Sequence, residues 1–358
     1  MVNIKYNSLN DTLFVKELNA RIDNYFSVKK LNKRANKLMF IKTILMLSYF
    51  FGVYFFILFG GVDNLIILGL LWVLLGIGQA LIGMTIMHDK VHGTYSTKKW
   101  MNFLLEIPVI AIGVDSFIWS IEHNFMHHNY PNIEGVDQDI HPRYLFRFSK
   151  HQPKKFFHRF QHIYASFFYS LLTLEWVTIK DFIKIRKYYK EGFVNSRGEF
   201  WYRVIMIFFK KLLFFSLYFI IPMIVLSQDW YVALIMFAIK TGVSGFFMTV
   251  VFQTGHVVPN CEVVNPNPME FRESWHRHQL NTTSNFAQKS KIVTYLLGGL
   301  NFQIEHHLFP GICHVYYPEI SNIVKQTAKE FNMPYLENDS VWSTIRMHFR
   351  MLKNLGRE

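Results

Sequence analysis

Four stretches of the chain stay apolar long enough to cross a bilayer, at about 38–60, 64–87, 205–227 and 230–255. A helix needs about 20 such residues to span a hydrocarbon core about 30 Å thick. Only the short polar turns 61–63 and 228–229 separate the members of each pair, so the pattern predicts two helical hairpins, each turning at one membrane face. The second helix does not stop at the lipid. Residues 64 to 92 would form roughly 43 Å of helix at a rise of 1.5 Å per residue, longer than the core, with Gly93 as its stop. The stretch 100–121 is apolar but carries Glu106, Pro108 and Asp115 and has no hairpin partner. It reads as a helix lying in the interface, and the aromatic, basic-flanked stretch 156–182 reads the same way. The expected fold is an all-α integral membrane protein: four transmembrane helices in two hairpins, interfacial helices, and a cytoplasmic cap. Residues 1–37 form an N-terminal segment and 38–358 one domain, with no internal repeat.

Composition supports this class. The chain is 51% hydrophobic and 17% aromatic, too apolar for an ordinary soluble enzyme. Its net charge of +13 is not gathered into any nucleic-acid-binding motif, so no nucleic-acid partner is expected. The basic residues flank the apolar segments, as anchors to anionic membrane lipids and as topology signals. By the positive-inside bias, the N-terminal segment, residues 88–204 and the tail after 256 lie in the cytoplasm. Cys261 and Cys313 form neither a metal-binding pair nor a disulfide framework, and the first 38 residues hold no apolar run of the signal-peptide kind. Usage rich in Lys, Asn, Ile and Phe points to a low-GC bacterium, hence its inner membrane, with the endoplasmic reticulum as the eukaryotic counterpart.

Chemistry concentrates in three histidine clusters: His88-Asp-Lys-Val-His92, His123-Asn-Phe-Met-His127-His128 and Gln303-Ile-Glu-His306-His307. With the predicted topology all three lie on one membrane face, as does His256 at the end of the fourth span. On an α-helix residues i and i+4 share a face, so His88 and His92 can serve one metal, as can His123 and His127. His128, about 100° further round, points to a second metal nearby. Gln303, His306 and His307, at i, i+3 and i+4, face one way. Imidazoles without thiolate suit Fe, Zn, Cu or Ni and do not choose among them. His158 and His162 share the i, i+4 spacing but read as a stripe on a basic, lipid-facing surface helix. His276 and His278 flank the helix face of Trp275 and Gln279, where substrate contact or support of a ligand is open. His141, His151, His314 and His348 read as ordinary polar residues, and Lys240, in mid-span, as a snorkelling or protein-paired lysine.

The first two clusters resemble the histidine boxes of the membrane-bound fatty acid desaturase and hydroxylase superfamily. Asn301-Phe-Gln-Ile-Glu-His-His-Leu-Phe-Pro310 is similar to the third box of its front-end desaturases, in which Gln stands for the leading His. Trp275, Gln279 and residues 282–287 resemble the segment before that box. The resemblance runs from the second helix to about Pro318. It implies a non-haem centre of two Fe ions that activates O2 with two electrons from a reductase chain. It implies His88, His92, His123, His127, His128, His256, His306 and His307 as ligands, with Gln303 in the place of a ligand. Asp89, Glu122 and Glu305 adjoin these and would orient imidazole N–H groups, while Trp275, His278 and Gln279 are expected near substrate or behind the ligands. The implied reaction is insertion of a cis double bond on the carboxyl side of an existing one, at Δ6 or Δ5, in a linoleoyl-like chain carried by a lipid or CoA. The fused cytochrome b5 of many such enzymes has a His-Pro-Gly-Gly motif that these 358 residues lack. The expected donor is therefore a separate ferredoxin or cytochrome b5 with its reductase. Rival readings are a hydroxylase or ketolase of the same fold, a zinc-dependent membrane hydrolase or receptor, and a metal transporter. The last would want its ligands within the spans.

Overall fold

The computed structural model describes residues 4–7, 11–139, 145–265 and 273–358; His141 lies outside them. Among the described residues its regular elements are helices, apart from a two-residue parallel ladder between β1 (Asn285–Phe286) and β2 (Glu337–Asn338) and an isolated bridge between Ile133 and Val264. Helix α1 (Thr12–Val28) buries Phe14, Leu18, Ile22 and Phe26, one face of i, i+4 steps.

Among the described residues four helices are long and apolar enough to cross a membrane: α2 (Lys37–Phe59), α3 (Leu65–Val91), and two later ones at Arg197–Val225 and Trp230–His256. Side chains begin three of them. Asn36 accepts from Met39 N at 3.1 Å, Asn64 from Ile66 N at 2.9 Å, and Ser196 from Glu199 N at 3.1 Å. As expected, α3 runs on beyond the apolar stretch, and Gly93, at φ +70°, follows its end. The third span starts about eight residues earlier than its apolar run, because its first turns, with Arg197 and Arg203, continue the helix into polar surroundings.

Helix α4 (Lys99–Ala111) turns Trp100, Phe103, Leu104 and Ile107 outward and buries Leu105, Pro108 and Val109. After Gly113, at φ +83°, the chain bends by 96° into α5 (Ser116–His127). A Cβ at Gly113 would sit 2.4 Å from Val177 Cγ1, so both the backbone twist and the close approach require glycine. The bent pair is apolar enough to count as one broken span, and α4 has the one-sided exposure of a helix lying at the lipid boundary.

Helices α6 (Gln161–Ser170) and α7 (Leu172–Glu175) are followed by a π turn, Trp176–Lys180, and by α8 (Asp181–Lys190). With the spans Arg197–Val225 as α9 and Trp230–His256 as α10, α6 and α7 lie along α10. A Cβ at Gly245 would meet Ser170 O at 2.6 Å. The stretch expected as a lipid-facing surface is therefore partly internal. His158 in particular is 2% exposed, its carbonyl covered by Gly356 near the chain end, so the surface-stripe reading of that residue is corrected.

Short helices α11 (Trp275–Thr282), α12 (Lys291–Leu296) and α13 (Gln303–Leu308) precede α14 (Tyr317–Glu330) and α15 (Val341–Arg357). Lys240, wholly buried in α10, donates to Gln79 Oε1 of α3 and sits 3.6 Å from the ring centroid of Tyr218. It is the protein-paired lysine of the two alternatives.

Candidate metal centre

Four elements deliver imidazoles to one buried place. The C-terminal end of α3 brings His88, with His92 just after it. Helix α5 brings His123 and His127, with His128 next; α10 ends at His256; α13 supplies His306 and His307. Ligand-capable atoms of His88, His92, His123 and His306 lie within 4.8 Å of one another, as do those of His127, His256 and His307. His128 joins the two groups, being equally close to His306 and His307.

The α5 cluster departs from α-helical expectation. Ser120–His127 is a π turn, in which bonds reach i+5 rather than i+4. The extra residue per turn swings His128 back, so that its Nε2 lies 3.2 Å from His123 Nε2. His123 thus joins the first group and His127 the second. A second π turn, Gly83–Met87, immediately precedes His88.

Hydrogen bonding decides which ring nitrogen is bare. His123 Nδ1 donates to Asp139 Oδ2 at 2.6 Å and His127 Nδ1 to Asp137 Oδ2 at 3.0 Å. His256 Nδ1 donates to Thr282 O at 3.1 Å, and His307 Nδ1 to Gln279 Oε1 at 2.9 Å. Gln279 cannot be the donor there, because its amide N–H points to His128 O, 3.1 Å away. In its neutral form each of these four rings therefore carries its hydrogen on Nδ1 and presents a lone pair on Nε2. His306 Nδ1 faces Tyr317 Oη at 3.2 Å, while its Nε2 is 3.2 Å from His88 Nε2. Lone pairs facing one another in a dry interior repel unless a cation lies among them. The Nε2 atoms of His92 and His307 have no partner among the described residues. Burial and the neighbouring imidazoles push His128, His306 and His307 well below the ordinary histidine pKa, so these rings are neutral, as ligands must be. The donor set fits soft-to-borderline metal ions held through nitrogen.

Gln303 lines the same small cavity as His123, His127, His256 and His306. Its amide nitrogen donates to Leu300 O at 2.7 Å, which leaves the carbonyl oxygen as its accepting end. Gly255 makes room for it: a Cβ there would meet Gln303 Cγ at 2.6 Å.

The three carboxylates expected beside ligands mostly face elsewhere. Glu305 accepts from Asn285 and Tyr335, each at 2.8 Å. Glu122 lies between the ammonium groups of Lys180 and Lys184, at 2.9 and 3.2 Å. Asp89 sits 3.9 Å from His88 Nδ1 through one oxygen, and its other oxygen accepts from His314 Nδ1 at 2.8 Å and Cys313 Sγ at 3.0 Å. The acceptors that orient imidazoles, Asp137 and Asp139, were not singled out in the sequence. The signal available was Val136-Asp-Gln-Asp139, two acids shortly after the second cluster. Of the residues preceding the third cluster, Gln279 meets a cluster ring; His278 is bonded to Pro131 O at 2.9 Å, and Trp275 packs at the core edge.

A cavity of about 360 Å³ adjoins the centre, sharing Asp139 and Phe252 with it. Trp119, which stacks on His123 with centroids 4.1 Å apart, forms part of its wall. The remaining wall is largely apolar, with Leu145, Phe146 and Phe148 from the segment before α6, Phe168, Tyr169 and Leu172 from α6 and α7, and Trp176 after them, as a hydrocarbon chain requires.

This combination of apolar spans, one-sided histidine clusters and an adjoining apolar cavity defines a membrane metalloenzyme acting on hydrocarbon. Residues 64–338 match the fatty acid desaturase family, and the chain belongs to it. It is 31% identical to the sn-1 linoleoyl-lipid 6-desaturase of Arthrospira platensis, over 96% of this chain and 92% of that one. Identity to the protein of that name from Synechocystis is 30%, over 96% of each chain. The acyl-lipid (8-3)-desaturase of Physcomitrium patens is 30% identical over 99% of this chain and 74% of its own. The protein is a multi-span membrane fatty acid desaturase.

Proposed function

We propose that this desaturase is of the front-end type: it inserts a cis double bond on the carboxyl side of an existing one in a linoleoyl-like chain, at Δ6 or Δ5. The observation that carries this reading is Gln303, which stands at the head of the third cluster and lines the same cavity as four cluster histidines. The names of its relatives point the same way.

Two irons would occupy the histidine cluster. One would be held by His88, His92, His123 and His306, the other by His127, His256 and His307, with His128 between the groups and Gln303 beside the second. When bound, the pair supplies the O2 activation that removal of two hydrogens from an unactivated methylene needs and side chains cannot provide. The chain's own residues do the rest. Asp137, Asp139, Gln279 and the Thr282 carbonyl hold the ring tautomers, so nitrogen lone pairs need no rearrangement on loading. Trp119 keeps the His123 ring in place and water away from it. The apolar cavity holds the hydrocarbon against the centre, which replaces a random encounter with a fixed one. The centre faces the cytoplasm, and electrons arrive from a separate donor protein.

Expression in a host without the activity, with linoleate supplied and double bonds located by mass spectrometry, tests this reading. The expected product has lost two hydrogens and carries its new bond on the carboxyl side. A new bond on the methyl side, or a gain of one oxygen, would reject it.

A further inference from the structure

The wall of the acyl cavity is not uniformly apolar, and its polar part is built from buried, mutually bonded groups. Lys180 ends the π turn after α7 and lines the cavity; its ammonium is paired to Glu122 at 2.9 Å and lies 4.7 Å from the Trp176 ring centroid. Lys184, one turn on, pairs with the same Glu122 oxygen at 3.2 Å. The three side chains are 7%, 12% and 2% exposed, so two cations share one anion in a nearly dry place. The carboxylates of Asp139 and Glu175 line the same wall, and Lys180 is its only cation among the described residues.

Gln138 supplies the second observation. Its Oε1 accepts from Lys184 Nζ at 2.6 Å and from Tyr188 Oη at 3.2 Å. Two donors on that oxygen fix the amide orientation and leave the NH2 end, with two donor hydrogens, on the side of the cavity that Gln138 lines. The opposite character is found elsewhere on the wall, where Phe146, Phe148, Phe168 and Tyr169 pack ring against ring. One region of the cavity thus offers the N–H donors of Gln138 and Lys180, another mainly aromatic carbon. Asp139, adjacent in sequence to Gln138, holds His123. The donor end therefore lies within a few methylene lengths of the centre.

We propose that Gln138 and Lys180 bind the carbonyl oxygen at the carboxyl end of the acyl chain and so set the position of the new double bond. This rests on the front-end reading above and names the group from which such an enzyme counts. A chain anchored by its carbonyl presents a fixed methylene to the metals, and its tail runs to the aromatic region. Tyr188 and Lys184 act as positioning residues, through Gln138.

The test places Gln138→Leu, Gln138→Asn and Lys180→Met beside the wild type in the linoleate-fed host, measuring yield, bond position and iron content of the purified proteins. Iron-loaded Gln138→Leu and Lys180→Met are expected to lose at least about ten-fold in product and to scatter the remaining bonds over neighbouring carbons. Gln138→Asn, which keeps the amide but draws it back by one methylene, is expected to keep activity and shift part of the product by one position. An unchanged bond position in iron-loaded Gln138→Leu and Lys180→Met, whatever the yield, overturns the proposal, because a merely structural role would lower yield without moving the bond. If the leucine and methionine variants fail to load iron, Gln138→Asn decides alone: a single unshifted product overturns it. A wild-type product with its new bond on the methyl side fails the front-end reading itself and is told apart from these outcomes without any variant.

Discussion

The individual histidines were the most legible part of the chain, because metal ligation needs several imidazoles and sequence spacing shows where they gather. What spacing cannot show is the partner of each ring. Asp139 lies 16 residues after His123, and Gln279 28 residues before His307. His314 and His348, read as ordinary polar residues, are buried with fixed partners: His314 bonds Asp89 and Lys42, and His348 bonds Val257 O and Tyr169. Ala substitution at His123 or His306 is expected to abolish product and lower bound iron, while the protein still inserts into membranes. Ala at Asp139 or Gln279 frees a ligand ring without deleting it, and is expected to cost about 10–100-fold in metal affinity or turnover. Full activity and iron in Asp139→Ala would show that His123 needs no such acceptor. His158→Ala makes the contrast. The residue is buried, but no metal-capable group among the described residues includes it. It should lower the melting temperature in detergent and leave iron content unchanged; loss of iron in a stable protein would count against the assignment.

At the scale of elements, the four spans were readable because a bilayer imposes one length and one polarity on any helix that crosses it. The π turns were not, since one extra residue per turn leaves no mark on apolar periodicity, yet one of them decides which metal group His123 and His128 join. Nor was the packing of α6 and α7 on α10 visible, for an aromatic amphipathic stretch looks alike against lipid and against protein. Gly245 is the residue that permits that contact. Gly245→Val would drive a side chain into the Ser170 backbone, and is expected to open the cavity wall and remove most activity while iron stays bound. Retained turnover would mean that α6 and α7 can separate from α10 without harm. The C-terminal helix α15 is tied down by His348, whose Nδ1 donates to Val257 O at 2.7 Å while its Nε2 accepts from Tyr169 at 2.8 Å. The bond accepted by Nε2 requires the neutral ring, and burial lowers its pKa from 6.5 to about 4. The unfolded chain therefore binds this proton more readily than the fold does. The contribution is complete above about pH 6.5 and is lost as pH falls toward 4. Thermal unfolding across that range should be less pH-dependent in His348→Gln than in the wild type; equal slopes would remove His348 from the account.

For the whole molecule, topology turns three scattered clusters and His256 into one centre. Two hairpins return their ends to a single face, and the short helices after α10 close over it. The same face carries much of the positive charge. Composition announced that charge but not its distribution. Lys184 is spent internally on Glu122 and Gln138. Lys150, Lys154, Lys155 and Arg186 are exposed. An acidic electron carrier approaching these residues would be steered by long-range attraction, which raises the encounter rate more than the final affinity. Screening shortens that range from about 10 Å at 0.1 M salt to about 3 Å at 1 M. Turnover of the purified protein with an acidic ferredoxin or cytochrome b5 and its reductase should therefore fall steeply with salt at limiting carrier and recover at saturating carrier. Reversing Lys150, Lys154 and Arg186 to Glu should reproduce at low salt the loss that high salt causes, without changing iron content or bond position. A rate independent of salt in the limiting-carrier regime would place the docking surface elsewhere. Turnover from reduced nicotinamide and O2 with no carrier present would dispense with a separate donor altogether.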